Sequence, residues 1–186
     1  MLVYGDHKEV ADPRERLRHV DEQLRALPSM PAGIGRHAKL VGALIEAGQV
    51  LQGVADADAP VDALSEFMHR LAAAVVRSWD SRFQNIGELP SPPVIDLPRF
   101  VELRLPEGFA FYAVYPEAYV EAARKLRLSG PPRVIGIRSI GTTLGAIVAA
   151  ALHAQPAFTV RPFTYSMTMN GTPSASPTSW MRQMFG

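Results

Sequence analysis

Eight residues near the middle of the second half of the chain combine glycines, hydroxyls and one arginine in a pattern that could bind an anion. They read Gly136-Ile-Arg-Ser-Ile-Gly-Thr-Thr143. The apolar run from Val134 to Ile137 has the composition of a buried parallel strand, and an alanine-rich helix pattern follows over Leu144 to Leu152. The backbone N–H groups and the dipole of a helix N-terminus favour a bound anion. The sequence therefore predicts a strand, a tight polar turn over residues 138–143, and a helix whose N-terminus binds phosphate or another anion.

Two other chemistries for this turn fail on single positions. Its glycine spacing is that of a nucleotide-binding P-loop, but Thr142 stands where the lysine that contacts the terminal phosphates is required. Ser139 is the residue that a nucleophile elbow would use, but Ile137 instead of glycine lies two residues before it. Only His153, and no carboxylate, follows Ser139 as a triad partner. A βα turn without a ligand stays open as an alternative to the anion site, with Gly141 in a tight backbone position.

The sequence predicts neither a metal site formed by side chains nor a catalytic residue. The histidines share no i, i+4 pair and no common motif, so the spacing of a metal site is missing. These histidines are His7, His19, His37, His69 and His153.

Composition limits the class of protein. The 186 residues are 47% hydrophobic and 20% charged, which is typical of a globular chain that can bury a core. The absence of cysteine excludes disulfides, thiolate ligands and cysteine nucleophiles. The most apolar run, Leu144 to Leu152, is far shorter than the roughly 20 residues that a bilayer span requires, and no signal-like segment follows Met1. We therefore expect a cytoplasmic protein without a membrane partner.

Charge is distributed unevenly although the net charge is only +1. All acidic residues lie at or before Glu121, whereas Ala122 to Gly186 contains only basic charges. A basic C-terminal third favours an anionic ligand, but its charges form no cluster of the kind that binds nucleic acid. A phosphorylated small molecule is therefore the expected partner, and nucleic acid is not expected.

Amphipathic patterns predict three helices in the first half. The first begins at Pro13 with Asp12 as its cap and ends at Pro28 to Pro31, the second covers about residues 34–55 and the third about 61–79. The buried positions expected on the first helix are Leu17, Val20, Leu24 and Leu27. Those on the second are Ile34, Ala38, Val41, Leu44, Ile45, Gly48 and Leu51, and those on the third are Leu64, Phe67, Met68, Leu71, Val75 and Trp79. Residues 1–84 are thus predicted to form a helical bundle with a polar lead-in over residues 1–11.

Prolines at 90, 92, 93 and 98 predict a linker over residues 85–98. An α/β unit is predicted over 99–163, with strands at 100–105, 134–137 and 158–163 and a helix from Pro116 that carries Ala118, Tyr119, Ala122 and Leu126. Strand, helix and strand in this order indicate a parallel sheet. Residues 164–186 are rich in Ser, Thr and Met, which predicts a disordered or atypical tail.

The Gly-Ile-Arg sequence at 136–138 and the loop after it resemble the first strand, loop and helix of the type I phosphoribosyltransferase fold. The wider stretch from Glu107 to Pro162 is similar to a group of uncharacterised bacterial phosphoribosyltransferase-like proteins with a helical N-terminal region. The resemblance implies an α/β fold, in which a helical bundle precedes a parallel-sheet phosphoribosyltransferase-like unit that is truncated if no further strands follow.

By the same resemblance, Arg138, Ser139, Gly141, Thr142 and Thr143 would surround the diphosphate of phosphoribosyl diphosphate, and Mg²⁺ would accompany that ligand. The chain departs from the fold's pattern in two places. Ser139-Ile140 replaces the usual glycine pair, and the second motif, a strand that ends in two adjacent acids, is absent because no acid follows Glu121. Two functions remain. The first is a phosphoribosyltransferase-like protein that binds phosphoribosyl diphosphate or a related phosphate ester and that would be a glycosyltransferase if complete. The second is a non-catalytic interaction or assembly protein, which includes homo-oligomers, in which the α/β unit is scaffold.

Overall fold

The computed structural model of the chain describes residues 8–104, 115–138 and 140–160, and their fold is mostly helical with two small sheets. The α-helices are α1 (Pro13–Ala26), α2 (Ile34–Asp56), α3 (Asp62–Asp80), α4 (Pro116–Arg124) and α5 (Ile140–Ala151). The strands are β1 (Lys8–Ala11), β2 (Val101–Arg104), β3 (Ile135–Ile137) and β4 (Phe158–Val160). The predicted mixture of helices with a parallel sheet is thus confirmed at this level.

Helix α1 forms as its sequence predicts. Asp12 Oδ1 accepts a hydrogen bond from the backbone N–H of Arg14 at 2.8 Å, and Pro13 occupies the first helical position, where its missing N–H costs nothing. The four predicted core positions of this helix are all buried. A short 3-10 helix, Leu27–Ser29, then ends the segment.

The buried face of α2 was predicted wrongly at its start. Ile34 is 63% exposed and Ala38 is exposed, whereas His37 and Leu40 are buried. The reason is that α2 lies in the middle of the fold, against α1, α3, α5 and β2, so its buried face is broad and apolar spacing alone defines no single stripe. On α3 the prediction holds for the first five positions, and Trp79 is partly buried.

Within the described residues, each of the two sheets has two strands. Strands β1 and β2 are antiparallel, with Lys8 opposite Arg104 and Ala11 opposite Val101, so residues 8–11 of the predicted polar lead-in form a mostly exposed strand that the sequence did not predict. Strands β3 and β4 are parallel, with Ile135 opposite Phe158. The strand, helix and parallel strand predicted for the second half are therefore confirmed over β3, α5 and β4.

The segment between α3 and β2, which includes the predicted linker at residues 85–98, has no regular secondary structure and packs against the bundle. Ile86 and Leu97 are buried in the core, and the Arg14 guanidinium donates to the carbonyl of Leu97. The same core continues through Val120 of α4 and Ile147 of α5. The helices of the first half and the β3–α5–β4 unit therefore share one hydrophobic core.

Two helix boundaries differ from the predictions. Helix α5 begins at Ile140, four residues before the predicted start, so Gly141 to Thr143 belong to its first turn and not to a loop. Helix α4 ends at Arg124 and leaves Leu126 exposed.

The predicted tail at 164–186 and the end of the predicted strand at 161–163 lie outside the described residues. None of the described helices is long and apolar enough to cross a bilayer.

Candidate anion site at the start of helix α5

Helix α5 lies unusually close to strand β3 because the contact is made by glycines. A Cβ atom on Gly136 would lie 2.0 Å from the carbonyl oxygen and 2.7 Å from the carbonyl carbon of Gly141. A Cβ atom on Gly145 would lie 3.4 Å from the Cα atom of Gly136 and 3.3 Å from the Cβ atom of Ala157. The backbone N–H of Arg138 donates to Val160 at 2.8 Å and continues the sheet up to the helix. These contacts fix the helix N-terminus at the end of β3.

Three of the predicted ligand-binding residues, Gly141, Thr142 and Thr143, meet in the first turn of α5. The first N–H groups of a helix have no acceptor within the helix. No acidic side chain stands in this turn to neutralise the positive end of the helix dipole. The turn can therefore supply backbone donors to an anion, while Ser139, the fourth predicted residue, lies outside the described residues.

The two threonine side chains point into the protein interior, since each residue is only 2% exposed. Thr143 Oγ1 lies so close to helix α2 that a Cβ atom on Gly48 would be 2.2 Å from it. Thr142 Oγ1 is buried without a hydrogen-bond partner among the described residues. A buried hydroxyl left unpaired costs about 1–3 kcal/mol, so its presence calls for an explanation such as a ligand.

The fifth predicted residue, Arg138, contacts the end of α2. Its guanidinium Nη1 donates to the carbonyl of Ala55 at 3.2 Å and lies 3.0 Å from Asp56 Oδ1. A cation is favourable at a helix C-terminus, where the dipole is negative. The Nε–H of Arg138 is buried without a partner among the described residues. Arg138 lies just before the first turn of α5 in sequence, but its guanidinium contacts the Asp56 carboxylate, which would compete with any anionic ligand.

A second polar cluster, between α2, α3 and α4, was missed by the sequence analysis. His37 Nδ1 lies 2.9 Å from Ser78 Oγ, and His37 Nε2 lies 2.7 Å from Glu117 Oε1. These are the residue types of a hydrolytic triad, but Ser78 has no exposed surface and lies within helix α3. A nucleophile must reach its substrate, so the arrangement serves structure and not acyl transfer.

Two further contacts extend this cluster along α4. Trp79 Nε1 donates to Glu121 Oε1 at 2.9 Å, and Arg124 donates to Asp80 Oδ2 at 2.7 Å. The α4 members, Glu117, Glu121 and Arg124, follow the i, i+4, i+7 spacing of one helical face. We call the three contacts that these α4 residues make, His37–Glu117, Trp79–Glu121 and Asp80–Arg124, the polar seam of α4. No sequence motif reveals it, because its partners lie roughly 40–80 positions apart, a separation that helical periodicity does not register.

The charge of Glu117 is stabilised by its surroundings. Burial raises the pKa of this carboxyl, but the hydrogen bond from His37, the backbone N–H of Glu117 itself and the positive charge of His37 together lower it below its ordinary value. The ionised form also suits the first turn of α4, where the helix dipole favours a negative charge. Glu117 is therefore a carboxylate at neutral pH.

A cleft of about 430 Å³ lies elsewhere, between β1 and α1. Its cation, Arg16, forms ion pairs with Glu9 and, at 3.9 Å, with Glu46, and Glu15 also lines it. Carboxylates surround the one arginine among the described lining residues, so this cleft does not suit a phosphate.

Within residues 8–104, 115–138 and 140–160, no group of three or more histidine or carboxylate side chains is arranged to hold a metal ion. No family model, curated protein or solved structure matches this chain. Functional inference therefore depends on the geometry of the α5 N-terminus and its neighbours.

Proposed function

We propose that this chain is a phosphoribosyltransferase-like protein that binds phosphoribosyl diphosphate, or a related phosphate ester, at the N-terminus of α5. The observation that supports the proposal is the buried, unpaired Thr142 hydroxyl in a helical first turn without acidic residues. Phosphate oxygens accept hydrogen bonds from hydroxyls and from backbone N–H groups at such a turn. The diphosphate would accept hydrogen bonds from the backbone N–H groups of Gly141 to Thr143, and the buried Thr142 Oγ1 would contact it only if the side chain turned out of the interior.

The proposed activity is binding, without turnover by this chain. Transfer of a phosphoribosyl group requires residues that hold the ribose and orient the leaving diphosphate, and paired acids for this are absent after Glu121. Helix α5 contributes no carboxylate, and the nearby Asp56 is bound to Arg138. No side chains in the described part of the chain are arranged as a magnesium site, so any Mg²⁺ would arrive bound to the diphosphate oxygens.

Thr142→Val is expected to separate ligand binding from stability. Valine has nearly the shape of threonine but lacks the unpaired hydroxyl, so the free energy of unfolding should rise by about 1 kcal/mol. If Thr142 Oγ1 contacts the ligand, the affinity for phosphoribosyl diphosphate should fall about tenfold, as for the loss of one charge-assisted hydrogen bond. Titration calorimetry with and without Mg²⁺, together with urea unfolding, measures both quantities.

Ser65→Ala, on the partly buried face of α3, is the matched control and should leave ligand affinity unchanged. Wild-type chain that binds no phosphoribosyl diphosphate would refute the proposal. Binding that is equal in wild type and Thr142→Val would show that the hydroxyl does not contact the ligand.

Asp56→Asn tests whether Arg138 takes part. If the guanidinium contacts the diphosphate, removal of the competing carboxylate charge should increase ligand affinity about three- to fivefold, and Arg138→Gln should reduce it. If Arg138 only caps α2, both substitutions should lower the unfolding midpoint and leave affinity unchanged. Calorimetry and thermal unfolding of the two variants distinguish these outcomes.

A second candidate is a non-catalytic interaction or assembly protein in which the α/β unit is scaffold. The observation that favours it is the use of Arg138 and Thr143 in contacts with α2. This function predicts no response to phosphoribosyl diphosphate and, for assembly of copies of the chain, a mass that rises with concentration in light scattering.

A further inference from the structure

The cleft between β1 and α1 runs along one edge of strand β1. Four successive residues, Glu9 to Asp12, line it, although the side chains of a strand alternate between its two faces. A cleft above either face would be lined by alternate residues of β1 and by their neighbours on β2. None of the β2 residues Val101–Arg104 is among the described lining residues, so the cleft lies along the edge of β1 that faces away from β2.

This edge of β1 is unpaired within the described part of the chain. Strand β1 pairs with β2 alone among the described strands. Alternate residues of β1 therefore direct their N–H and C=O groups away from β2 and towards the cleft. No backbone hydrogen bond from another described residue reaches Lys8–Ala11 from that side. Such an edge is a template for an added strand, whose backbone would satisfy these groups.

The cleft has an apolar side and a side covered by α1. The register with β2 places Val10 and Glu9 on opposite faces of the sheet. The Glu9 side chain contacts Arg16 of α1, so its face is the one that α1 covers. Val10 is 72% exposed, and Phe100, directly before β2, is 55% exposed and lines the same cleft. A ligand in the cleft can therefore contact apolar groups on one side and α1 on the other.

Carboxylates dominate the charge of the cleft. Its described lining includes Glu9, Asp12 and Glu15 but one arginine, Arg16, which already forms an ion pair with Glu9. Glu15 lies 3.9 Å from Arg18, and both side chains are mostly exposed, so this pair neutralises the carboxylate little. The excess negative charge is complementary to basic groups.

We propose that the open edge of β1 binds an extended segment of a partner protein in which basic and large apolar residues alternate. The added strand pairs with the backbone of β1, its apolar side chains contact Val10 and Phe100, and its basic side chains face Glu9 and Glu15. The alternation follows because a strand directs successive side chains to opposite faces, and the two sides of this cleft are apolar and acidic. A second copy of the chain fits less well, because two-fold pairing of β1 brings the carboxylates of both clefts together.

The proposal is independent of phosphate binding and is tested with the full chain. The probe is a dye-labelled peptide of about ten residues that alternates lysine with valine, and its binding is followed by fluorescence anisotropy. One control peptide has glutamate in place of lysine, a second has all lysines before all valines, and a third is the alternating peptide with every backbone nitrogen methylated. The alternating lysine peptide should bind at least about tenfold more tightly than each control, and added salt should weaken the complex.

Hydrogen exchange locates the contact on the backbone. Amides of Glu9–Ala11 that face the open edge should exchange about tenfold or more slowly in the saturated complex, because they then donate to the added strand.

Variants test the side chains of the cleft. Glu9→Lys combined with Glu15→Lys should weaken binding of the lysine peptide about tenfold or more, and Arg16→Gln should strengthen it about threefold because it releases Glu9. Glu22→Lys combined with Glu88→Lys is the matched control, since it changes the net charge equally at exposed carboxylates outside the described lining. It should change the affinity less than about twofold. Thermal unfolding by circular dichroism confirms that each variant remains folded.

Each other result contradicts the proposal. No binding, equal binding of the lysine and glutamate peptides, or unchanged binding by the cleft variant would remove the basic partner. Equal binding of the segregated or methylated peptide, or no slowing of exchange in β1, would exclude strand addition. A mass that rises with concentration, together with slow exchange of β1 amides in the chain without peptide, would identify a second copy as the occupant instead.

Discussion

Gly136→Ala is expected to remove most of the stability of the β3–α5–β4 unit. The added methyl group would lie 2.0 Å from the carbonyl oxygen of Gly141, far inside van der Waals contact. Neither backbone can move aside easily, because Ala146 and Ile147 hold α5 against the bundle core. Forcing atoms into a packed core costs typically 1–3 kcal/mol, and a clash with backbone at this distance should cost about 3 kcal/mol or more.

Urea unfolding at neutral pH measures this loss, and Gly42→Ala provides the control. A Cβ atom on Gly42 of α2 meets no atom within 4 Å, so this substitution should stabilise the helix by about 0.5–1 kcal/mol. Equal midpoints for Gly136→Ala and wild type would show that α5 does not approach β3 as described.

Glu117→Ala is expected to have the second largest effect, a loss of about 2–3 kcal/mol. The substitution leaves the ring of His37, only 3% exposed, without the acceptor for its Nε2 and breaks the first contact of the polar seam of α4. Glu117→Gln keeps an amide oxygen that can accept from His37, so it should cost about 1 kcal/mol. Thermal and urea unfolding of wild type and the two variants measure the order of these stability losses. A loss from the alanine variant no larger than that from glutamine would contradict the role given to the hydrogen bond.

Wild type and Glu117→Gln also allow a test of the pH dependence of stability. Because the folded-state pKa of Glu117 lies below its ordinary value, ionised Glu117 stabilises the fold above the unfolded-state pKa. That stabilisation is lost as the pH falls through the folded pKa, which lies below the ordinary glutamate value. The stability difference between wild type and Glu117→Gln should therefore shrink between pH 7 and pH 3, since the other carboxyls titrate in both proteins. A difference that is constant or grows on acidification would reverse the sign of the coupling.

Local signals predicted local structure well. The cap at Asp12, the proline at the first position of α1 and the four leucine and valine positions that follow sufficed to predict the start and buried face of that helix. The parallel pairing of β3 with β4 followed from apolar composition and order along the chain. These features depend on residues within a few positions of one another, where sequence patterns carry most information.

Contacts between distant segments were not predictable in the same way. The polar residues at 138–143 predicted a helix start nearby but not its exact position. Whether the helix begins at residue 140 or 144 depends on its packing against Gly48 and Gly136. Arg138 had the right type for a phosphate, but its contact with Asp56 joins residues 82 positions apart. The His37–Ser78–Glu117 cluster likewise spans three helices. Each of these three features depends on tertiary packing between distant segments, which produces no periodic pattern in the sequence.

The most direct test of the anion site is a titration of ¹⁵N-labelled protein with phosphoribosyl diphosphate, followed by amide chemical shifts. The proposal predicts that the amides of Gly141, Thr142 and Thr143 shift most and saturate together, and that Thr142→Val requires more ligand to reach the same shifts. Shifts confined to Lys125 and Arg127, or no saturable shift in the first turn of α5, would contradict it.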